Sequence, residues 1–293
     1  MDITSKMVAD LRTETGVGMM ECKKALVEAQ GDFEAARTIL RKKGLAAAAS
    51  KAGRVASEGL VVAHVTVKGA VLVEVNCETD FVARTEGFRE FTEKLADRIA
   101  AHDALGDTRA GDPAEVAKLS WPGGETAQDA VLQLVSTLKE NIQVRRFARW
   151  TQRPGEKFAS YVHGNGRIGV LVGLPGGDEA LGRDLAMHIA ASDPRFAARG
   201  EVTPEILEAE RDIARAQAAA SGKPASVVER IVDGKVEKFY QETVLTEQAF
   251  VKEPEKTVGQ IIVERGGKAA LDLRFVRYKL GESLGRSSKD APA

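Results

Sequence analysis

Between residues 3 and 44 the apolar positions recur every three or four residues, which predicts three short helices. Ile3, Met7 and Leu11 mark the first, which stops at Thr15-Gly16. Met19, Cys22, Leu26 and Ala29 share a face of the second, which runs to about Gln30 and stops at Gly31. Asp32 is placed to cap the third, which carries Phe33, Ala36 and Leu40 and is expected to end at Gly44. Together they predict a small three-helix module, near the lower size limit for an independent core. The stretch 45–58 is alanine-rich, with five basic and no acidic residues from Arg41 to Arg54, and reads as a linker.

At Gly59 the period switches to two. Val61–Val67 and Ala70–Val75 are β-branched runs joined by Lys68-Gly69, a hairpin signal. A helix follows, with Phe88, Phe91, Leu95 and Ile99 on its buried face. The region from Gly106 to Gly124 is looser. Ala127–Leu138 then reads as a helix and Ile142–Phe147 as a strand. The second half repeats the theme: strands at Phe158–His163 and Ile168–Leu174 around a glycine turn, then a helix from Asp178. That helix ends in His188-Ile189-Ala190-Ala191-Ser192-Asp193, much as the earlier one ends in Arg98-Ile99-Ala100-Ala101-His102-Asp103. The offset of about 90 residues reads as a weak internal duplication.

From Thr203 to Tyr240 the pattern is helical and highly charged, interrupted at Ser221-Gly222-Lys223-Pro224. Ile206, Ile213 and Ala220 step by seven, with Val227 and Ile231 placed to face them, as in an antiparallel hairpin. Phe250–Pro254, a short helix at Thr257–Glu264 and a strand at Leu271–Phe275 complete the pattern, and Ser287–Ala293 reads as disordered. The fold class predicted is α+β. The expected division is 1–54 for the helical module and linker, 55–150 for one core subdomain and 151–200 for the first part of another. The hairpin takes 201–240, the return of the second subdomain 241–280 and the tail 281–293.

Composition narrows the chemistry. The 293 residues carry 42 Lys+Arg against 43 Asp+Glu, so near-neutral charge gives little electrostatic drive toward nucleic acid. No apolar run approaches the roughly 18–20 residues of a membrane span, and the N-terminus has no secretory pattern, so a cytoplasmic protein without membrane association is expected. Cys22 and Cys77 form neither a disulfide framework nor a metal knuckle. His64, His102, His163 and His188 are scattered without ligand spacing, and no P-loop or G-x-S-x-G occurs. Gly164-Asn165-Gly166-Arg167-Ile168-Gly169 fits G-x-G-x-x-G, but it is expected to open a strand, where its glycines serve a turn. No cofactor, metal site or enzymatic chemistry is therefore expected. The basic residues of Arg41–Arg54, with Arg145, Arg146, Arg149 and Arg153, could face nucleic acid, but the charge is balanced and no RNA-binding signature with interleaved aromatics occurs. A solvated linker with strand-end charge, or an acidic protein partner, is therefore the reading, and no direct nucleic-acid contact is expected.

Glu78-Thr79-Asp80-Phe81-Val82-Ala83 lies where a buried strand gives way to a helix, a place where function is often built. The residues alone allow Asp80 to cap the next helix and Phe81 to enter the core. That is the reading the residues favour by themselves; the other is a carboxylate and a ring placed for contact.

Several blocks closely resemble the bacterial elongation factor Ts family. They are Thr15-Gly16-Val17-Gly18-Met19-Met20-Glu21-Cys22-Lys23-Lys24-Ala25-Leu26 and Glu74-Val75-Asn76-Cys77-Glu78-Thr79-Asp80-Phe81-Val82-Ala83. Tyr161–Gly164, Arg167–Val172, Met187–Ser192, Ser221–Pro224, Phe250–Pro254 and Lys256–Gln260 follow in family order. The resemblance implies a guanine-nucleotide exchange factor for elongation factor Tu. It also implies a ubiquitin-associated-like helical module, a two-part core and a coiled-coil hairpin. It places Thr79, Asp80, Phe81 and Val82 in a segment that dislocates the partner's Mg²⁺. It makes Lys23, His163, Met187 and His188 contacts to the partner. A dimer through the hairpin or the core stays open, as does a scaffold that binds a GTPase or a ribosome without exchange.

Overall fold

The computed structural model describes residues 2–67, 69–219 and 224–282. The expectations for Lys68, for Ala220–Lys223 and for Ser287–Ala293 lie outside them. The chain forms two compact units, one of Met1–Thr151 with Val162–Gly169 and the chain from Tyr278, the other of Gln152–Tyr161 with Val170–Arg277.

Helix α1 (Ser5–Thr15) starts where the Thr4 hydroxyl accepts from Met7 N–H at 3.2 Å. It stops at Gly16, whose φ of 63° suits a residue without Cβ. Helices α2 (Met19–Glu28) and α3 (Phe33–Lys51) complete the module around Val8, Leu11, Cys22, Ala25, Leu26, Ala36 and Leu40. Met19 does not join this face as expected; it is 41% exposed. Asp32 caps α3, but α3 does not end at Gly44. It continues to Lys51 because Gly44 is a contact point: a Cβ there would lie 3.1 Å from the Ser136 hydroxyl and 3.7 Å from the Leu132 carbonyl. The first half of the expected linker is thus helix, on an element that packs against α7 (Ala127–Leu138). Arg41, Lys43 and Arg54 of its basic run pair with Asp129, Glu28 and Glu78.

Strands β1 (Glu58–Val65) and β2 (Gly69–Cys77) form the expected hairpin, in antiparallel register from Glu58↔Cys77 to Val65↔Ala70. A single-turn helix α4 (Asp80–Ala83) and α5 (Glu86–Ala101) follow. The loose region holds β3 (Thr108–Gly111) and α6 (Pro113–Val116). Strand β4 (Gln143–Thr151) runs further than its apolar start indicates and completes a sheet of order β1-β2-β4-β3. Val71, Val73, Val75 and Phe147 from this sheet bury Phe88, Leu95 and Ile99 of α5 and Val131 and Val135 of α7. The Arg145–Arg149 run is spent inside the unit. Arg145 and Arg146 hold Glu74, and the buried Arg149 donates to Ile99 and Gly106 carbonyls and to Asp103 at the end of α5.

Helix α7 ends in an unusual way. Its C-cap is Lys139, at φ 64° and ψ 17°, left-handed backbone that costs a side-chain-bearing residue about 1–2 kcal/mol. Lys139→Gly is expected to raise stability by about 1 kcal/mol, read as a higher urea midpoint at unchanged slope.

Strands β5 (Glu156–His163), β6 (Ile168–Pro175) and, later, β9 (Arg274–Lys279) form a sheet in the order β5-β6-β9. The G-x-G-x-x-G stretch opens β6, with Gly164, Asn165 and Gly166 all at positive φ, so no helix N-terminus stands there to receive a pyrophosphate. Helix α8 (Glu179–Ser192) is capped by Asp178. Helices α9 (Pro204–Ala219) and α10 (Ala225–Thr243) pack along each other, but not on the expected seam. Ile213 is 52% exposed, and the buried line is Ala214 with Val232 and Val236. Small Ala214 lets the helices approach; a step of seven drifts around a 3.6-residue helix. Arg199 grips the root of this pair, forked on Glu237 and over the Tyr240 ring at 4.3 Å. A short β7–β8 pair (Ala249–Phe250 and Glu253–Thr257) leads into α11 (Val258–Gly266). The last strand begins at Arg274 rather than Leu271, because Lys268–Asp272 coils into a 3₁₀ turn around buried Ala270.

Candidate functional site

Strand β2 is buried along its whole length, so its side chains leave no room for function until the chain emerges after Cys77. Two threonine caps then divide the exit. The Thr79 hydroxyl accepts from Val82 N–H and starts α4, and the Thr85 hydroxyl accepts from Phe88 N–H and starts α5. Asp80 therefore caps neither helix. Its carboxylate accepts from Arg84 Nη2 at 2.7 Å, one turn on. Helix α4 turns Ala83 and Val82 toward the core and leaves Phe81 outside. The Phe81 ring is 79% exposed, so the core placement that the sequence allowed is not adopted.

The exposed ring stands on a braced turn. Glu140, just past the α7 cap, accepts from Glu78 N–H and Thr79 N–H on Oε2, each at 3.0 Å. Its Oε1 accepts from the Thr79 hydroxyl at 2.6 Å. Glu78 in turn accepts from Asn141 N–H at 2.7 Å, and the Asn141 amide donates to the Arg54 carbonyl at 2.8 Å. The Cys77 thiol donates to the Thr79 carbonyl at 3.1 Å. Burial, with the Glu140 charge second, pushes that thiol up to about 12, so Cys77 serves here as a hydrogen-bond donor rather than a nucleophile.

Thr79, Asp80, Phe81 and Val82 thus share one turn. The other residues singled out by sequence lie elsewhere. Lys23 is exposed on α2, between Met20 (66% exposed) and Val27 (57%), which the helical spacing puts beside it. That apolar pair is not on the stripe of Met19, Cys22, Leu26 and Ala29 that the helical spacing predicts. A second stripe at Met20, Lys23 and Val27 was the available signal. His163 is exposed at the end of β5, where its carbonyl accepts from Arg167 N–H. Met187, in the second unit, is half-buried on α8.

His188, also in the second unit, is fully buried. Its Nδ1 accepts from Val251 N–H, so the proton sits on Nε2 and donates to Gln248 Oε1 at 2.9 Å. Gln248 passes its amide hydrogens to the Ser192 and Glu242 carbonyls. The histidine therefore fixes the turn between β7 and β8, where Val251 is 45% exposed. Burial, opposed by the Gln248 bond, holds His188 below its ordinary value of 6.5. The unfolded chain then binds more protons than the folded one below that value, so this contribution to stability is present above it and lost as pH falls. Urea midpoints should decline from about pH 7 to pH 5, and His188→Gln should flatten the decline.

Among the described residues, no group of three or more His, Cys, Asp or Glu is arranged to hold a metal ion, and no helix is long and apolar enough to cross a membrane. An apolar ring presented on a hydrogen-bonded turn has the character of a contact made to another macromolecule.

A family model described as Elongation factor TS matches residues 78–282, beginning at the braced turn. The chain is 48% identical to elongation factor Ts of Nitrosospira multiformis over 295 aligned residues, covering 100% of this chain and 94% of that protein. It is 45% identical to elongation factor Ts of Thioalkalivibrio sulfidiphilus, covering 99% and 96%, and 46% identical to that of Methylococcus capsulatus, covering 97% and 94%. The chain belongs to the elongation factor Ts family, and so to the translation elongation factors.

Proposed function

We propose that the protein is a guanine-nucleotide exchange factor that binds elongation factor Tu with GDP and promotes GDP release, allowing GTP to load. The observation that carries this reading is the exposed Phe81 ring on its braced turn. Nanomolar nucleotide binding corresponds to about −12 kcal/mol, so an exchange factor must bind the nucleotide-free partner better than the loaded one. The coupling is reciprocal: what loosens GDP is loosened by GDP. Phe81 wedges between partner helices beside the nucleotide, and Thr79, Asp80 and Val82 form the segment that carries it. Mg²⁺ tolerates little departure from octahedral geometry, so a small displacement of its ligands releases it.

Lys23, flanked by Met20 and Val27, holds the partner's nucleotide-binding domain. His163 and Met187 contact the rest of the partner, and His188 contributes through the Val251 turn that it fixes. The protein performs no covalent chemistry, needs no cofactor and works in the cytoplasm, without nucleic acid or membrane. The finer architecture belongs to the same proposal: a ubiquitin-associated-like module, a duplicated core and a coiled-coil hairpin, divided as the sequence was.

Stopped-flow release of fluorescent GDP from elongation factor Tu, with and without the protein, tests the reading. Accelerated release supports it. An unchanged off-rate, with binding intact, would make the protein a scaffold instead.

A further inference from the structure

We infer that Glu140 is the positioning residue that fixes the exchange turn, through its three accepted hydrogen bonds from Glu78 N–H, Thr79 N–H and the Thr79 hydroxyl. This rests on the exchange reading of Phe81. A carboxylate has the lone pairs to accept several donors at once; here the hydroxyl bond is short, and the other two donors are backbone groups just ahead of α4. The Thr79 hydroxyl does double duty. It donates to Glu140 and accepts from Val82 N–H, so Glu140 sets the rotamer that starts α4 and thereby the direction of Phe81. The brace is anchored at both sides. Asn141, next in the chain, binds Glu78 through its backbone N–H and the Arg54 carbonyl through its side chain. Glu140 itself comes directly after the left-handed Lys139, which turns the chain out of α7 and toward the exchange turn.

A ring that must push partner helices apart loses its effect if its own base yields. The free energy that deforms the base is not delivered to the partner. Glu140 touches neither nucleotide nor metal in this account; it acts through Phe81.

Three kinds of variant test this. Glu140→Ala removes all three acceptances and is expected to slow maximal GDP release at saturating protein about tenfold or more. Glu140→Gln keeps an acceptor for the two backbone N–H groups, and the Thr79 hydroxyl can accept from the new amide, so it should restore release to within about twofold of wild type. In a Phe81→Ala background, Glu140→Ala should add nothing further, because the two act as one unit. Backbone amide exchange at Glu78 and Thr79 in the free protein should quicken in Glu140→Ala and not in Glu140→Gln. Should Glu140→Ala fold poorly, Thr79→Val removes the hydroxyl bond to Glu140 together with the Val82 cap and should slow release in the same direction, with Thr79→Ser restoring it.

Wild-type release at full rate from folded Glu140→Ala would overturn the inference, as would an equal loss in the Phe81→Ala background. Failure of wild-type protein to accelerate release, with the amide exchange behaving as described, would instead remove the exchange reading and leave the brace standing.

Discussion

Phe81→Ala is expected to fold almost as stably as wild type and to fail as an exchange factor. The ring is 79% exposed, and substitutions at such positions usually change stability by no more than about 0.5 kcal/mol. A central aromatic anchor, by contrast, typically contributes about 2 kcal/mol or more to a contact, which corresponds to roughly thirtyfold. The loss should appear in GDP release at saturating protein, since the wedge acts on the strained partner. Phe88 is the internal control. It lies seven residues on, fully buried, and Phe88→Ala should cost about 3–5 kcal/mol of folding free energy. Asp80→Asn separates charge from shape in the same turn, because it weakens the Arg84 bond and leaves Phe81 in place. Urea melts and stopped-flow release on the same samples distinguish the cases. A Phe81→Ala protein that exchanges normally would remove Phe81 from the proposed mechanism.

Glu74→Ala should show the opposite profile, a large loss of stability from a buried residue that is not among the proposed contacts. Glu74 sits at the middle of a strand buried along its length and is itself fully buried. Its Oε1 accepts from Arg145 at 2.8 Å and from Gly281 N–H at 2.9 Å, and its Oε2 from Arg146 at 2.7 Å. Arg146 also lies over the Tyr278 ring at 4.2 Å. Removing the carboxylate takes the shared acceptor from two guanidinium groups, each mostly out of water, and leaves them the Glu282 and Lys279 carbonyls and, for Arg146, the Glu282 carboxylate at 3.5 Å. Breaking such a cluster by deleting one member typically costs about 3–5 kcal/mol; the arginines retain 19% and 24% exposure, which places the expectation near the lower end. Replacing Glu74 together with Arg145 and Arg146 by apolar residues of similar volume should recover most of the loss. A Glu74→Ala unfolding free energy from urea melts within about 0.5 kcal/mol of wild type would show that the strand does not depend on the cluster.

Elements with a clean local signal were legible in the sequence. Helix α7 matches Ala127–Leu138 to the residue, because Thr126 and Asp129 cap each other at its start and the apolar face is continuous. The β1–β2 hairpin and the start of α8 at Asp178 follow for the same kind of reason. Elements whose signal depends on a neighbour were not. Gly44 reads as a stop and is a close-approach point on α7; Thr108–Gly111 has no alternation and becomes a strand only by pairing with β4. Ala214, not Ile213, lies in the α9–α10 seam, because packing distance selects the small residue.

The candidate site divides along the same line. Its residues stood out in the sequence as Glu78–Ala83 between a strand and a helix, and their resemblance named the family. Their geometry did not. Local chemistry offered Asp80 as the cap of the next helix, and only the fold assigned the caps to Thr79 and Thr85 and tied Asp80 to Arg84. Whether Phe81 points inward depends on which face of a single helical turn meets the core, and Val82 and Ala83 take that face. Glu140 lies 61 residues from Thr79 along the chain, and its role exists only where β2 and the end of α7 come together. By itself the sequence determined the periodic elements, the family and the candidate segment, because helix periods, caps and turn residues act within a few positions. The tertiary structure alone decided which side chains are exposed, which charges are paired and what braces the turn, because burial and hydrogen-bond partners are set by residues distant in the chain.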